Sequence, residues 1–379
     1  MKRERQVFNP FSVVSYMGPE YFCDRQKETK ELTDALHNGR NVTLISPRRI
    51  GKTGLIHHLF QSLDKTEVQC FYVDLYSTSS LQDFTKLLAQ AVLTERITPF
   101  SEQVWSEITR LFSALRPVFT TDPISGMPQC MIDIQPQREE WTLQQIFSYL
   151  EKASTPCYVA LDEFQTIAEY TDVKMEALLR TYIQQLHNVR FIFAGSKKHL
   201  MTEIFASAKR PFYRSTQMMH IGAIDEAAYY QFASAHMAAH GQRISEDTFH
   251  ELYSLMDGYT WNMQSMLNRL YQSGVEQIDY NTILSTLNQV LQEEMPSYQT
   301  YCRLISNRQL QVLRAVAKEG TVSEPGSTAF LRKYGLGAYS TVRSAMLTML
   351  DKELLYRRDD GSYEVYEKFF ALWLRYSSF

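Results

Sequence analysis

The sequence contains no run of roughly 18 consecutive apolar residues, the length a helix needs to cross a bilayer, so no membrane span is expected. Paired cysteines are lacking too. The five present, Cys23, Cys70, Cys130, Cys157 and Cys302, are scattered and include no Cys-x-x-Cys. That pattern suits a reducing cytoplasm and buried, inert thiols, and it gives no zinc-ligand spacing. The opening Met1-Lys-Arg-Glu-Arg-Gln6 mixes charge signs and runs into Phe8-Asn-Pro-Phe11 without an apolar stretch, unlike a signal peptide or anchor. A dense basic stripe is missing as well: the net charge is -3, and the segment from Leu304 onward, with 11 basic and 8 acidic residues, is only slightly positive. Polyanion binding asks for more. No guanine-reading Asn-Lys-x-Asp motif occurs.

What is present is a chain of 379 residues, 44% hydrophobic, long enough for more than one core and hence for two or three domains. The apolar, β-branched run Asn41-Val-Thr-Leu-Ile45 reads as a buried strand that stops at Ser46-Pro47. Leu55, Ile56, Leu59 and Phe60 then recur at helical spacing. Further strands are expected at Gln69–Leu75, Cys157–Leu161 and Val189–Ala194, with helices at Leu81–Leu93 and Trp141–Lys152. Alternation of this kind implies a mostly parallel sheet covered on both faces, an α/β core over residues 1–221. Near 98–140 the pattern loosens around Pro-Ile-Ser-Gly-Met-Pro, which reads as an inserted β-hairpin. Helical segments alone, from Asp225 to Glu294, predict a helical lid domain at 222–303. Residues 304–379 read as three helices followed by two short strands around Asp360-Gly361, the pattern of a winged helix-turn-helix.

The sharpest motif is Ser46-Pro-Arg-Arg-Ile-Gly-Lys-Thr53, which has P-loop spacing with Ser46 where a glycine is usual. It lies between a strand and a helix, as a phosphate cradle requires. Pro47, Arg48, Arg49, Ile50, Gly51, Lys52, Thr53 and Gly54 are expected to line the nucleotide. Gly51 frees the backbone to turn amides toward phosphates, the Lys52 ammonium reaches β- and γ-oxygens, and the Thr53 hydroxyl is a magnesium ligand. Asp162-Glu163 ends a buried strand, so Asp162 can hold the magnesium shell and Glu163 can polarise the attacking water. The bland alternative is that Asp162 merely caps a helix. Ser196, ending the next strand, is expected beside the γ-phosphate, although a simple turn also explains Gly195-Ser196. Arg210 and Arg214 are both candidates to stabilise transition-state charge, in their own or a neighbouring subunit, or else are solvated surface charges.

These motifs, with Phe22-Cys-Asp-Arg-Gln-Lys-Glu28 before them and Ser340-Thr-Val-Arg-Ser-Ala-Met-Leu347 and Tyr363-Glu-Val-Tyr-Glu-Lys-Phe-Phe370 after them, resemble the archaeal-type ATPases of prokaryotes, in the AAA+/STAND branch of P-loop ATPases. The resemblance implies an ATP- and magnesium-dependent, cytoplasmic switch with a core, a lid and a winged helix. It also places Arg25 near the adenine or ribose, although an arginine at a helix start is more often solvent-facing. Relatives commonly carry an aspartate near Tyr366 or Glu367, so the chain departs slightly there. The candidate recognition helix around Ser340–Lys352 has one central arginine, and Arg357-Arg358 is followed by Asp359-Asp360. The winged helix is therefore expected to pack or to recognise protein, including a second copy, more readily than DNA. Two other readings stand beside the switch: a DNA-associated ATPase resembling origin-recognition or transposition-helper proteins, and a nucleotide-holding scaffold with negligible turnover.

Overall fold

The strands expected at residues 42, 69, 157 and 189 all form, and Gln217–His220, which carries no strand signature, joins them in one parallel sheet. The structure is a computed structural model that describes residues 8–97, 112, 114–121, 128–358 and 360–376, with the backbone alone described for 94–97, 117–121 and 128–131. Val14–Asp225 forms one unit, and the segment ending at Val13 joins the chain from Glu226 onward in a second.

In the first unit the strands are β1 Val42–Ile45, β2 Gln69–Asp74, β3 Leu115–Thr121, β4 Pro128–Ile134, β5 Cys157–Asp162, β6 Val189–Gly195 and β7 Gln217–His220. The sheet order is β2-β5-β6-β1-β7, with every neighbour parallel. Parallel strands covered on both faces read as continuous apolar runs, and the side chains of β1 and β5 are buried throughout. β7 is recruited by backbone pairing: Gln217 N–H donates to Asn41 O, Ile221 N–H donates to Ile45 O, and the Thr216 and Thr43 hydroxyls lie 2.6 Å apart. The β3–β4 ladder is antiparallel, as the hairpin reading expects, but its turn at 122–127 and the stretch 98–111 lie outside the described residues.

Two helices of this unit, Met175–Ile183 and Lys198–Ala206, have no counterpart in the sequence reading. The second supplies Phe205 to an aromatic cluster in which Phe164 and Phe193 lie 4.6 Å apart, with Phe205 and Phe212 against both. Phe164, fully buried, fixes the chain immediately after Glu163.

In the second unit Glu226–Ala239, Glu246–Leu255, Thr260–Ser273 and Tyr280–Arg303 are helices. Ser245 and Asp279 cap two of them by accepting from Thr248 N and Thr282 N. The last helix runs past the expected end at Glu294 and through Pro296. Its continuation is held by tertiary contact: buried Tyr298 packs 5.1 Å from Phe370 and 5.6 Å from Trp373, which offsets the helix-breaking cost of the proline.

The winged part comprises helices Asn307–Glu319, Thr328–Tyr334 and Tyr339–Asp351 and a three-stranded sheet of β10 Thr321–Val322, β11 Leu355–Arg357 and β12 Tyr363–Val365, after a small parallel pair, β8 Arg243–Ile244 and β9 Gln277–Ile278. Lys368–Tyr376 is a further helix. The aromatic side chains of this closing segment are used inside its own unit: Phe369, Phe370 and Trp373 are buried against Trp261, Tyr298 and Tyr301.

Candidate functional site

β1 delivers the chain into Ser46–Thr53. Arg49 has φ 66° and Gly51 φ 98°, both left-handed conformations, ahead of the helix Lys52–Ser62. That helix is anchored by Leu55, Ile56 and Leu59, so its N-terminus and partial positive charge are fixed at the loop. Gly54 faces Phe22, where an added Cβ would stand 3.5 Å from the ring.

Lys52 is only 6% exposed. Its ammonium donates to Ser46 Oγ at 3.0 Å and to Pro47 O at 3.2 Å, and Ser46 Oγ in turn donates to Pro47 O at 2.8 Å. Ser46, in place of the usual glycine, thus gives the lysine an acceptor. Burial pushes the Lys52 ammonium down to about 8, against the opposing pull of Asp162 and Glu163. A cation desolvated this far, with two of its three donors on neutral oxygens, fits an anionic group placed beside it. Arg48 and Arg49 are exposed, and Ile50 is buried.

The carboxylates arrive from β5, separated from β1 by β6. Asp162, 3% exposed, accepts from Thr53 Oγ1 at 2.6 Å and from Tyr72 Oη at 2.9 Å, both on Oδ2, while its Oδ1 accepts the Glu163 amide at 2.9 Å. The Thr53 hydroxyl spends its proton on Asp162 and keeps its lone pairs. Glu163 sits in the left-handed region, φ 52° and ψ 38°, an uncommon place for a glutamate. Its Oε2 accepts from Ser196 Oγ at 2.7 Å and from Gln165 Nε2 at 2.5 Å. Gly195 makes room for that clamp, since a Cβ there would stand 2.3 Å from Gln165 Oε1 and 2.6 Å from Met201 Sδ.

The structure therefore brings Lys52, Thr53, Asp162, Glu163 and Ser196 together. A hydroxyl with free lone pairs beside a buried carboxylate fits a magnesium ion that takes its remaining ligands from water and phosphate. No group of three or more His, Cys, Asp or Glu suited to a metal occurs among the described residues.

The arginines separate. Arg210 Nη1 lies 3.0 Å from Glu176 Oε1 and its Nε 3.2 Å from Glu203 Oε1, so its charge is already matched. Arg214, φ 51°, is exposed, with its guanidinium 5.3 Å over the Tyr213 ring. Arg25 is not solvent-facing, the alternative weighed against a place near the adenine or ribose: it is 4% exposed and donates to Glu28 Oε1 at 2.7 Å, Gly222 O at 2.7 Å and Ile50 O at 3.3 Å. A left-handed backbone, φ 70°, turns the side chain inward, where its guanidinium braces the phosphate loop.

A profile described as an ATPase domain predominantly from Archaea matches residues 22–266, well over half of the chain. The protein belongs to that family. A second profile, a probable winged helix domain, matches residues 296–376 of this archaeal-type ATPase. Among solved structures it is similar to the Walker-type ATPase of Pyrococcus abyssi, at 17% identity and TM-score 0.65 over 97% of this chain and 99% of that one. The ORC2 protein of Aeropyrum pernix, as ADPNP and ADP complexes, is 15% identical with TM-score 0.60 over 97% and 95% of the two chains. The ORC1 protein of the same organism, in complex with DNA, is 12% identical with TM-score 0.54 over 97% and 96%. At such identities the likeness concerns the fold. No curated protein matches significantly.

Sequence reasoning missed four residues at this site: Tyr72, Asp74, His57 and Gln165. Asp74 pairs in register with Asp162, and burial, together with the charges of Asp162 and Glu163, holds its carboxyl above the usual range against the Tyr76 backbone amide. His57, one turn along the helix from Thr53, lies 4.4 Å from the Tyr72 ring, and burial pushes its imidazole down. Tyr72 and Asp74 are two apart in β2 and share a face, and pairing with β5 brings that face to Asp162.

Proposed function

We propose that this archaeal-type ATPase hydrolyses ATP slowly, with magnesium, and acts as a nucleotide-dependent conformational switch. One contact carries the reading: the 2.6 Å hydrogen bond from Thr53 of the phosphate loop to Asp162 of β5, which unites the two halves of the chemistry. Magnesium, when bound, would neutralise charge between the phosphates. Thr53 Oγ1 and the Asp162 carboxylate would hold it, and Lys52 would exchange Ser46 and Pro47 for phosphate oxygens. Glu163 would accept a proton from water at Oε1, because Ser196 and Gln165 already occupy Oε2. Ser196, tied to that same carboxylate, would report whether the terminal phosphate is present. Of the two arginines, Arg214 is the one available to a neighbouring molecule's nucleotide; Arg210 is held by Glu176 and Glu203. Arg48, Arg49 and the amides of Ile50, Gly51 and Gly54 would complete the phosphate contacts.

Glu163→Gln is the test. Turnover should fall about 10²–10⁴-fold while Mg-ATP affinity stays within about threefold. Equal and near-zero turnover in both proteins would leave a nucleotide-holding scaffold instead.

The winged helix is read as a protein-recognition or self-assembly element. Several of its basic groups are committed internally: Lys333 to Glu319 at 2.6 Å, Arg358 to Glu364 at 3.0 Å, Lys368 to Asp257, and Arg375 to Ala317 O at 2.9 Å. The DNA-associated reading keeps one specific support, the likeness to an ORC protein described in complex with DNA. It predicts an affinity for duplex DNA that falls steeply with salt, and a flat response counts against it.

A further inference from the structure

We infer that Tyr72 is a positioning residue for the metal-side carboxylate, its phenol fixing Asp162 from a strand outside the phosphate loop. The inference rests on reading Asp162 as the carboxylate of the magnesium shell.

Asp162 is buried, and Thr53 and Tyr72 converge on the same oxygen, Oδ2, at 2.6 and 2.9 Å. They differ in what anchors them. Thr53 belongs to the loop-helix junction, which must respond to the nucleotide, and a metal would make its own demand on that hydroxyl oxygen. Tyr72 belongs to β2, whose backbone is locked to β5 from Gln69↔Cys157 to Asp74↔Asp162. Its ring is held from the other side by His57, 4.4 Å away on the phosphate-loop helix. The phenol is thus a donor supplied from β2, while the Glu163 amide at 2.9 Å fixes the opposite oxygen, Oδ1. Three donors, two on Oδ2 and one on Oδ1, orient the carboxylate, and losing a partner that orients a metal-binding group costs about 10–100-fold in metal affinity or activity. Nothing in this arrangement needs the tyrosine to touch nucleotide or water, so its effect should appear in metal binding and leave metal-free nucleotide binding alone.

Tyr72→Phe removes the hydroxyl and keeps the ring against His57. Mg2+ should be titrated calorimetrically into the full-length chain saturated with a non-hydrolysable ATP analogue, beside the same analogue titrated in EDTA. The expected result is Mg2+ affinity about tenfold weaker in the variant, with EDTA affinity and melting temperature unchanged. In turnover, the half-saturating Mg2+ concentration should rise by a similar factor while the rate at saturating Mg2+ stays near that of the natural chain. Identical Mg2+ titrations for Tyr72→Phe and the natural chain would overturn the inference. So would a Tyr72→Leu variant that alone loses metal affinity, because that would assign the role to ring packing. A natural chain that takes up analogue but no Mg2+ would overturn the reading of Asp162, and this inference with it, a result distinguishable from the first because the natural chain itself fails.

Discussion

Lys52 concentrates the argument at the scale of single residues. Its ammonium, at about 8 in the folded protein against an ordinary 10.5, is lowered chiefly by burial. Between those two values the unfolded chain binds more protons than the folded one, so this group makes stability rise with pH across that window; below it, the buried charge costs stability. A triphosphate beside the ammonium restores the charged form. At about pH 9, nucleotide binding should therefore draw in roughly half a proton or more, seen as a heat that changes with the ionisation enthalpy of the buffer, and near pH 6.5 this residue's part in that dependence should vanish. A heat at pH 9 that is indifferent to the buffer would refute the assignment. The loop residues around Lys52 were legible from spacing alone, because left-handed turns at Arg49 and Gly51 and a following helix are local properties. Ser46 was read only as a missing glycine, since its hydrogen bond to Lys52 requires the fold.

Among elements, the end of β6 and the turn after β5 work as a pair. Glu163 sits in the left-handed region just before Phe164, which is buried in the aromatic cluster, and its carboxylate is held by Ser196 and Gln165. Gly195 is the space through which Gln165 reaches it. Gly195→Ala would place a methyl 2.3 Å from Gln165 Oε1 and 2.6 Å from Met201 Sδ. Overpacking of that size costs about 1–3 kcal/mol, measurable as an earlier denaturant midpoint, and turnover should fall with it because Gln165 must leave Glu163. Unchanged stability and turnover would mean that the clamp is incidental. The strands with β-branched or aromatic runs were readable, and so were the helices with strong apolar periodicity. β7 was not: Gln217-Met-Met-His220 has no alternating or continuous apolar pattern and becomes a strand because β1 offers an open edge. Tyr72 and Asp74 escaped for a related reason, since β2 was recognised as a strand but its adjacency to β5 is tertiary information.

For the whole molecule, the order along the chain does not map simply onto its units. The segment before Val14 joins the unit that begins at Glu226: Phe11 is fully buried against Phe232, His236 and Tyr271, Asn9 Nδ2 donates to Asn268 O, and Asn268 Nδ2 donates to Phe11 O. Nothing in Phe8-Asn-Pro-Phe11 forecast that, because its partners lie more than two hundred residues away. Arg25, a little further along, grips both Ile50 of the phosphate loop and Gly222 near the end of the first unit. The winged helix was legible as a pattern, whereas the internal pairing of its basic side chains, which bears on any polyanion partner, emerges only once helices and sheet are assembled. All of these roles presuppose that the loop between β1 and the Lys52–Ser62 helix receives a triphosphate. Calorimetric titration of Mg-ATP into the intact chain and into Lys52→Ala tests that most directly. The account predicts saturable one-to-one uptake by the natural chain and a loss of at least about a hundredfold in affinity for the variant, whereas no heat from the natural chain, or equal uptake by both, would contradict it.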